Sequence, residues 1–413
     1  MTAVVSLDDV RAAAELLDGV TITTPVQPLR ALSDIAGQHC MLKLENLQRA
    51  GSFKVRGAYT RLAHLSAQER AAGVIAASAG NHAQGVAYAA RRLGIDAVVY
   101  MPVDAALPKI AATSAYGADV RLVGKTVDET LAHAREEAAR TGRILIHPFD
   151  HADVVAGQGA VGLEILEQVP DVGTVVVPLG GGGLVAGVAT VLAELRPEVR
   201  VIGVQSEKVA TFPESFAAGH PVAKPVGRTM ADGIAVGKPG DIPFEILDRL
   251  GVEVRTVSDE ALSRALLLVL ERAKLVVEPA GAAGVAAVMA DPTGMPGTIV
   301  PVVSGGNIDP LLLMRVIQHG MVAAGRYLHL RVRLDDRPGA LASLVETLAE
   351  VGANIKDVEH SHTDTSLGMF EAMVTLHLEA KGPEHCEQIM TRLREVGFEP
   401  RLVVNDSRRA AHG

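Results

Sequence analysis

Along most of the chain, short apolar runs alternate with longer stretches in which apolar residues recur every three or four positions. The runs are VIAAS (74–78), AVVYMP (97–102), VRLVG (120–124), ILIHPF (144–149), TVVVPLG (174–180), VRVIGVQ (199–205) and TIVPVVSGG (298–306). Each is apolar nearly throughout and most are rich in β-branched residues, as expected of strands covered on both faces. Helical spacing fills the gaps, for example in HAQGVAYAARRLG (82–94) and TVDETLAHAREEAARTG (126–142), and a first helix is expected over 7–17. This alternation predicts an α/β fold on a mainly parallel sheet. Ligands of such folds bind in the crevice beyond the strand carboxyl ends, so the chemistry should lie in the loops that follow these strands.

Near residue 326 the pattern changes. Strand 327–335, helix 338–352, strands 354–363 and 369–380, helix 383–397 and strand 398–404 follow one another in the order βαββαβ, a ferredoxin-like arrangement. Polar and apolar residues alternate in LHLRVRL and MVTLHL, which predicts a sheet with one solvated or partner-facing side. The expected division is therefore 1–325 and 326–413, with about 53–150 forming most of a smaller lobe of the first part. The tail from 405 is expected to be disordered.

Composition narrows the function classes. A chain of 413 residues is long enough for two or three domains. A net charge of -9 with no basic stripe argues against nucleic acid as a partner. No run of about 18 apolar residues suggests a membrane span. The N-terminus carries acids where a secretion signal carries bases, and Cys40 and Cys386, the only two cysteines, form neither a disulfide framework nor a zinc spacing. A cytoplasmic location is expected, with no metal ligand set.

Four segments carry candidate chemistry. In GSFKVRGA (51–58), Lys54 stands among small and apolar residues; desolvation would lower its pKa and free the amine for Schiff-base chemistry, although a lone lysine beside a turn is usually an ordinary surface group. In SAGNHAQGVA (78–87), a helix opens directly after a strand. Ser78, Ala79, Gly80, Asn81 and His82 could present backbone N–H groups to a carboxylate, or Ser78 or Asn81 could simply cap the helix. In VVVPLGGGGLVAG (175–187), Gly180, Gly181, Gly182, Gly183 and Leu184 join a strand to a helix and could cradle a phosphate. Gly181, Gly183 and Ala186 also match a dinucleotide fingerprint, with Glu207 near the end of the next strand, so a nicotinamide enzyme stays open on this motif alone. In VVSGGNID (302–309), Ser304 closes a late strand, as a ligand contact or as a loop cap.

Together and in this order, the four segments resemble the fold-type-II pyridoxal-phosphate enzymes (the tryptophan synthase β-like fold), most closely the threonine dehydratase, or threonine ammonia-lyase, family. The resemblance covers residues 1–325. It implies that Lys54 carries pyridoxal 5'-phosphate as a Schiff base and acts as the catalytic base. Phe53 would then pack by the ring, Asn81 bond its phenolic oxygen, Gly180–Gly183 and Leu184 hold the phosphate, and Ser304 meet the pyridine nitrogen. Ser78 to His82 would receive the substrate. Serine racemases resemble the same family but carry serine at the position of Ala79, so a racemase or serine dehydratase is the alternative within it. Some relatives bind a cation through an acid where this chain has Gln205.

Residues 336–341, DRPGAL, and 352–355, GANI, resemble an ACT domain, a small-molecule sensor. This implies an amino-acid effector, isoleucine or valine, held by Gly339, Ala340, Leu341, Asn354 and Ile355. The resemblances imply a carbon–nitrogen lyase that converts L-threonine to 2-oxobutanoate and ammonia, and L-serine to pyruvate. Such an enzyme opens isoleucine biosynthesis or degrades threonine, works as a homodimer or homotetramer, and is under allosteric control.

Overall fold

The computed structural model describes residues 4–362 and 367–403, without the side chains of Val127 and Asp128. The expectation of a disordered tail from 405 lies outside those residues. The chain forms two compact units, Met1–Leu313 and Met314–Gly413.

The first unit holds two four-stranded parallel sheets. One runs Asp119–Leu122, Ala97–Met101, Val74–Ala77, Ile144–Leu145; the other runs Thr298–Pro301, Val172–Pro178, Arg200–Ser206, Glu253–Val257. Strands such as Val74–Ala77, Ala97–Met101 and Thr298–Pro301 are buried at every position, in line with their unbroken apolar runs. Helices cover the sheets. Asn81–Leu93 turns Ala83, Val86, Ala87 and Ala90 into the core of the first sheet, and Gly183–Leu195 lies inside the core of the second. Several expected strands end a residue or two early, and two lose four residues or more. ILIHPF contributes only Ile144–Leu145, because the His147 ring accepts from the N–H of Asp150 at 2.8 Å and turns the chain. TIVPVVSGG stays in the sheet only to Pro301; beyond it, Val302 and Gly305 bridge to Lys43 and Ser52 instead.

A buried charge cluster ties three parts of this unit together. Arg56, 1% exposed, donates to both oxygens of Glu45 at 2.8 Å and to Glu164 at 2.7 Å. Lys43 pairs with the other oxygen of Glu164 and donates to Gln168 and the Thr24 carbonyl at 2.8 Å each. Two cations face two anions, so the group is neutral, and the long polar side chains find partners without water. Burial acts to raise the pKa of Glu45, but the Arg56 guanidinium outweighs it and holds the carboxyl below its ordinary range. Arg56 lies in the first turn of helix Lys54–Ala63, and Glu164 in helix Ala152–Gln168, so the cluster fixes where the first helix begins.

In the second unit, the strands Tyr327–Asp335, Asn354–Ser361, Glu371–Glu379 and Pro400–Leu402 form one antiparallel sheet, with Glu371–Glu379 and Tyr327–Asp335 central. Helices Ala340–Glu350 and Pro383–Glu395 complete the βαββαβ order. Leu328, Leu330, Val332 and Leu334 alternate into the core, while His329 and His377 stack on the other face with ring centroids 4.0 Å apart. The expected helix 338–352 starts at Ala340, because Gly339 adopts a φ of 88° and makes the turn that precedes it.

Replacing Arg56 by Met leaves the fully buried Glu45 carboxylate without its guanidinium and Glu164 with Lys43 alone. Unfolding by urea should then show a loss of about 3–5 kcal/mol, the cost typical of breaking a buried pair; a loss under about 1 kcal/mol, the scale of an exposed pair, would mean the cluster does not hold the unit together. Because the Glu45 pKa is depressed in the fold, its contribution is complete at neutral pH and fades only as the pH falls below the ordinary carboxylate range.

Candidate active site

The carboxyl ends of both parallel sheets open on a cavity of about 580 Å³. Every residue that the motifs assign to cofactor or substrate lines it, from Phe53 and Lys54 through Ser78–His82 and Gly180–Leu184 to Ser304. Four segments far apart in sequence thus meet at one place, the crevice that parallel α/β topology creates.

Lys54 is the first residue of helix Lys54–Ala63. Its ammonium donates to the Pro148 carbonyl at 2.8 Å and lies 5.2 Å from the centroid of the Phe53 ring. Apart from the cavity, protein surrounds it. Burial lowers its pKa from 10.5 to about 8, against the opposing pull of the Glu278 carboxylate. Near neutral pH the free-amine fraction is then far larger than that of an ordinary lysine, which favours a nucleophilic or basic role.

Helix Asn81–Leu93 presents its N-terminus to the cavity directly after the strand Val74–Ala77. Asn81 is held on both sides: its Nδ2 donates to Glu278 at 2.5 Å, and its Oδ1 accepts from Asn307 at 2.8 Å. His82 is 4% exposed and its Nε2 meets the Ile146 carbonyl at 2.9 Å. A carbonyl only accepts, so that nitrogen carries the proton. Burial, with Lys54 nearby, lowers the pKa of His82 to about 3. The ring is neutral and tied to the backbone.

Elsewhere in the cavity lining, helix Gly183–Leu195 begins at the glycine loop. Gly182 has a φ of 105°, which side-chain-bearing residues rarely adopt, and a Cβ on Gly181 would fall 2.4 Å from the Phe149 ring. The loop therefore offers main chain alone at the positive end of a 13-residue helix, a surface suited to an anion. Ser304, 4% exposed, follows the strand Thr298–Pro301.

Sequence reasoning misses two further wall residues. Gln158, in helix Ala152–Gln168, is 1% exposed and lines the cavity, yet neither polar atom of its amide has a protein partner. Leaving a buried amide unsatisfied costs on the order of 1–3 kcal/mol, so this amide calls for a polar ligand or a water. Glu278 is 4% exposed, and burial raises its pKa to about 7, assisted by Asp232 and opposed by Lys109. Glu278 lies in LVVEPAGAAG, a stretch of small residues that marks close packing and could have drawn notice. Gln158 sits in a helix of ordinary spacing and carries no signal. These features suit pyridoxal phosphate: an enclosed amine of lowered pKa, an anion-binding loop in the same lining, and an unsatisfied amide in the wall.

Away from the cavity, the Gln205 amide is engaged by Thr211 at 3.3 Å and by the N–H of Phe212 at 3.0 Å. Among the described residues, no three His, Cys, Asp or Glu side chains are grouped to hold a metal ion, and no helix is long and apolar enough to cross a membrane. In the second unit, Gly339 precedes helix Ala340–Glu350, Asn354 donates to Glu379 at 2.9 Å, and Ala340, Leu341 and Ile355 pack against the core.

Residues 17–305 match the family model for pyridoxal-phosphate dependent enzymes, and residues 326–397 match that for the ACT domain. An L-threonine ammonia-lyase of Thermotoga maritima is 44% identical over 399 residues, 97% of this chain and all of that protein. Another from Geobacter sulfurreducens is 45% identical over 367 residues, 89% of this chain and 91% of its own. Among solved structures, the processed form of threonine deaminase isoform 2 from Solanum lycopersicum is similar at 37% identity with a TM-score of 0.72, covering 77% of this chain and 90% of that one. A maize serine racemase is similar at 32% identity with a TM-score of 0.72, covering 75% and 96%.

In cofactor-free protein, labelling of Lys54 by an amine-specific reagent, followed by mass spectrometry across pH, should reach half its limiting rate near pH 8. Glu278→Gln removes the charge that favours the ammonium, so the midpoint should move lower still. A midpoint near 10.5, the ordinary lysine value, would show that burial does not set the reactivity of this amine.

Proposed function

The chain belongs to the pyridoxal-phosphate dependent enzymes, and on that premise we propose that it is a threonine ammonia-lyase that converts L-threonine to 2-oxobutanoate and ammonia. One observation carries the reading above the others: Lys54 is enclosed beside Phe53, with its pKa lowered to about 8, in a cavity that the main-chain loop Gly180–Gly183 also lines. When bound, pyridoxal phosphate supplies an aldehyde that condenses with amines and a ring that withdraws electrons from the substrate Cα. The residues of the chain do the rest. Lys54 would hold the cofactor at rest, and its Nζ, when free, would take the α-proton. The segment Ser78–His82 would receive the substrate carboxylate at the start of helix Asn81–Leu93, where the helix dipole favours it; the Ser78 N–H is itself held by the Tyr100 carbonyl at 3.1 Å. Gly180–Gly183 and Leu184 would anchor the phosphate. Asn81 would meet the phenolic oxygen, and Ser304 would meet the pyridine nitrogen with a neutral hydroxyl that does not protonate it. Loss of the β-hydroxyl with the α-proton amounts to loss of water, which is recovered when the product imine hydrolyses, so atoms balance.

Elimination is favoured over racemisation by Ala79, which lines the cavity with no exchangeable side-chain proton to deliver to the far face of Cα. L-Serine, smaller by one methyl group, would follow the same route to pyruvate. We propose further that the catalytic domain spans 1–325 and that the ACT domain, 326–413, binds isoleucine or valine. The main chain at Gly339 would meet the carboxylate, Asn354 would meet the polar end of the ligand, and the side chains around Ala340, Leu341 and Ile355 would meet its branched chain. The reaction would serve either as the first step of isoleucine biosynthesis or in the degradation of threonine. Assembly as a homodimer or homotetramer in the cytoplasm fits this role, and Cys40 and Cys386 are free thiols.

Lys54→Ala should nearly abolish ammonia release from threonine while leaving the circular dichroism spectrum intact; retention of more than a small fraction of wild-type turnover, with no amine added, would defeat the assignment. Calorimetric titration of the full chain should show isoleucine and valine binding. Through a coupling of about 1–3 kcal/mol it should change threonine affinity roughly 5–150-fold, with threonine changing effector affinity by the same factor. Absence of any heat of binding for either amino acid would remove the effector assignment without touching the catalytic one.

A further inference from the structure

Asn81 reaches the cavity at the end of a chain of hydrogen bonds in which each partner fixes the orientation of the next. The chain starts at the Ala50 carbonyl, which can only accept. Asn307 donates to it from Nδ2 at 2.7 Å, and from the same nitrogen to Asn81 Oδ1 at 2.8 Å. Turning the Asn307 amide over would set its oxygen against two acceptors, so its orientation is dictated by the main chain. The Asn81 amide is dictated in turn: turned over, its NH2 group would face the NH2 group of Asn307. Its Nδ2 therefore points to Glu278, which accepts one N–H at 2.5 Å and leaves the second for a ligand oxygen in the cavity.

The surrounding glycines are those the chain needs. Gly51 has a φ of 70°, and a Cβ there would fall 2.3 Å from Asn307 Oδ1. A Cβ on Gly305 would fall 2.3 Å from the Glu278 carboxylate and 2.9 Å from Asn81 Nδ2. Main-chain bonds lock the segments together: Phe53 N–H to the Ser304 carbonyl at 3.2 Å, Gly306 N–H to the Gly51 carbonyl at 3.0 Å, and Glu278 N–H to the Gly305 carbonyl at 3.1 Å.

We propose that Asn307 and Glu278 are positioning residues for the reaction: they hold the Asn81 amide so that it presents an N–H donor, never its oxygen, to the cofactor's phenolic oxygen. This rests on the proposed placement of that oxygen beside Asn81. A donor there favours the ionised phenolic oxygen, the form that absorbs at longer wavelength, and one charge-assisted hydrogen bond contributes about a tenfold gain in affinity.

The test is the absorption spectrum of the purified holoenzyme, with cofactor affinity and thermal transition measured on the same samples. Asn307→Asp keeps the shape but cannot donate to Asn81. It should shift absorbance from the long-wavelength band to the shorter one and weaken cofactor binding about tenfold. Asn307→Ala, which removes the donor without adding a charge, should do the same and decides the matter should the Asp variant fail to fold. Glu278→Gln retains an acceptor and should keep the wild-type band; Glu278→Leu should lose part of it. A merely structural role would lower the thermal transition and leave the band in place. An unchanged band in both Asn307 variants overturns the proposal, as does failure of both to fold. Asn81→Ala separates the two readings. If it leaves the band unmoved, the placement of the phenolic oxygen is wrong; if it moves the band while the Asn307 variants do not, only the positioning chain is wrong.

Discussion

Helix Lys54–Ala63 begins where the cluster of Lys43, Glu45, Arg56 and Glu164 allows it to begin. Four charges removed from water are costly, and the cost is offset only while all four are present, hydrogen-bonded and neutral as a set. Arg56 can satisfy Glu45 and Glu164 together only if the first turn of the helix sits between the segment of residues 43–45 and helix Ala152–Gln168. Lys54, two residues earlier, is carried to the cavity wall as a result. A rigid polar joint in the interior thus sets the position of an amine outside it.

Burial acts in opposite ways on either side of that helix start. In the cluster, every charge has a partner of opposite sign, so Glu45 stays ionised despite its enclosure. At the cavity, partners are scarcer. Lys54 falls to about 8 and His82 to about 3, while Glu278 rises to about 7, each toward its neutral form. One helical turn separates the ion pair that keeps Glu45 charged from a cavity that pushes its ionisable groups toward neutrality. Suppression is the useful condition for an amine that must act as nucleophile and base.

Much of this arrangement is legible from local pattern. The buried strands announce themselves as apolar runs, the second unit follows its βαββαβ order closely, and the four glycine- and serine-rich segments all reach the cavity. The sequence is less informative where a residue acts through a distant neighbour. Gln158 looks like any polar position of helix Ala152–Gln168, and only the cavity beside it makes its unpartnered amide notable. Asn307 is visible within VVSGGNID, but its contact with Ala50 is not. The strands in ILIHPF and TIVPVVSGG stop short of their apolar runs for a related reason: the His147 ring and the bridges to Lys43 and Ser52 draw those residues out of the sheets, and neither effect is encoded in apolar periodicity.

The contact of Asn307 with Ala50 spans 257 residues of chain. A ribosome adding about 5–20 residues per second needs on the order of tens of seconds to cover that interval. Throughout it, the lysine-bearing segment is already outside while the residues that close around it have yet to be made. The early helices and the first sheet can assemble in that time, but the enclosure that lowers the basicity of Lys54 cannot. Until the residues that bury Lys54 have packed around it, its amine keeps a basicity nearer the ordinary lysine value, because burial is what lowers it.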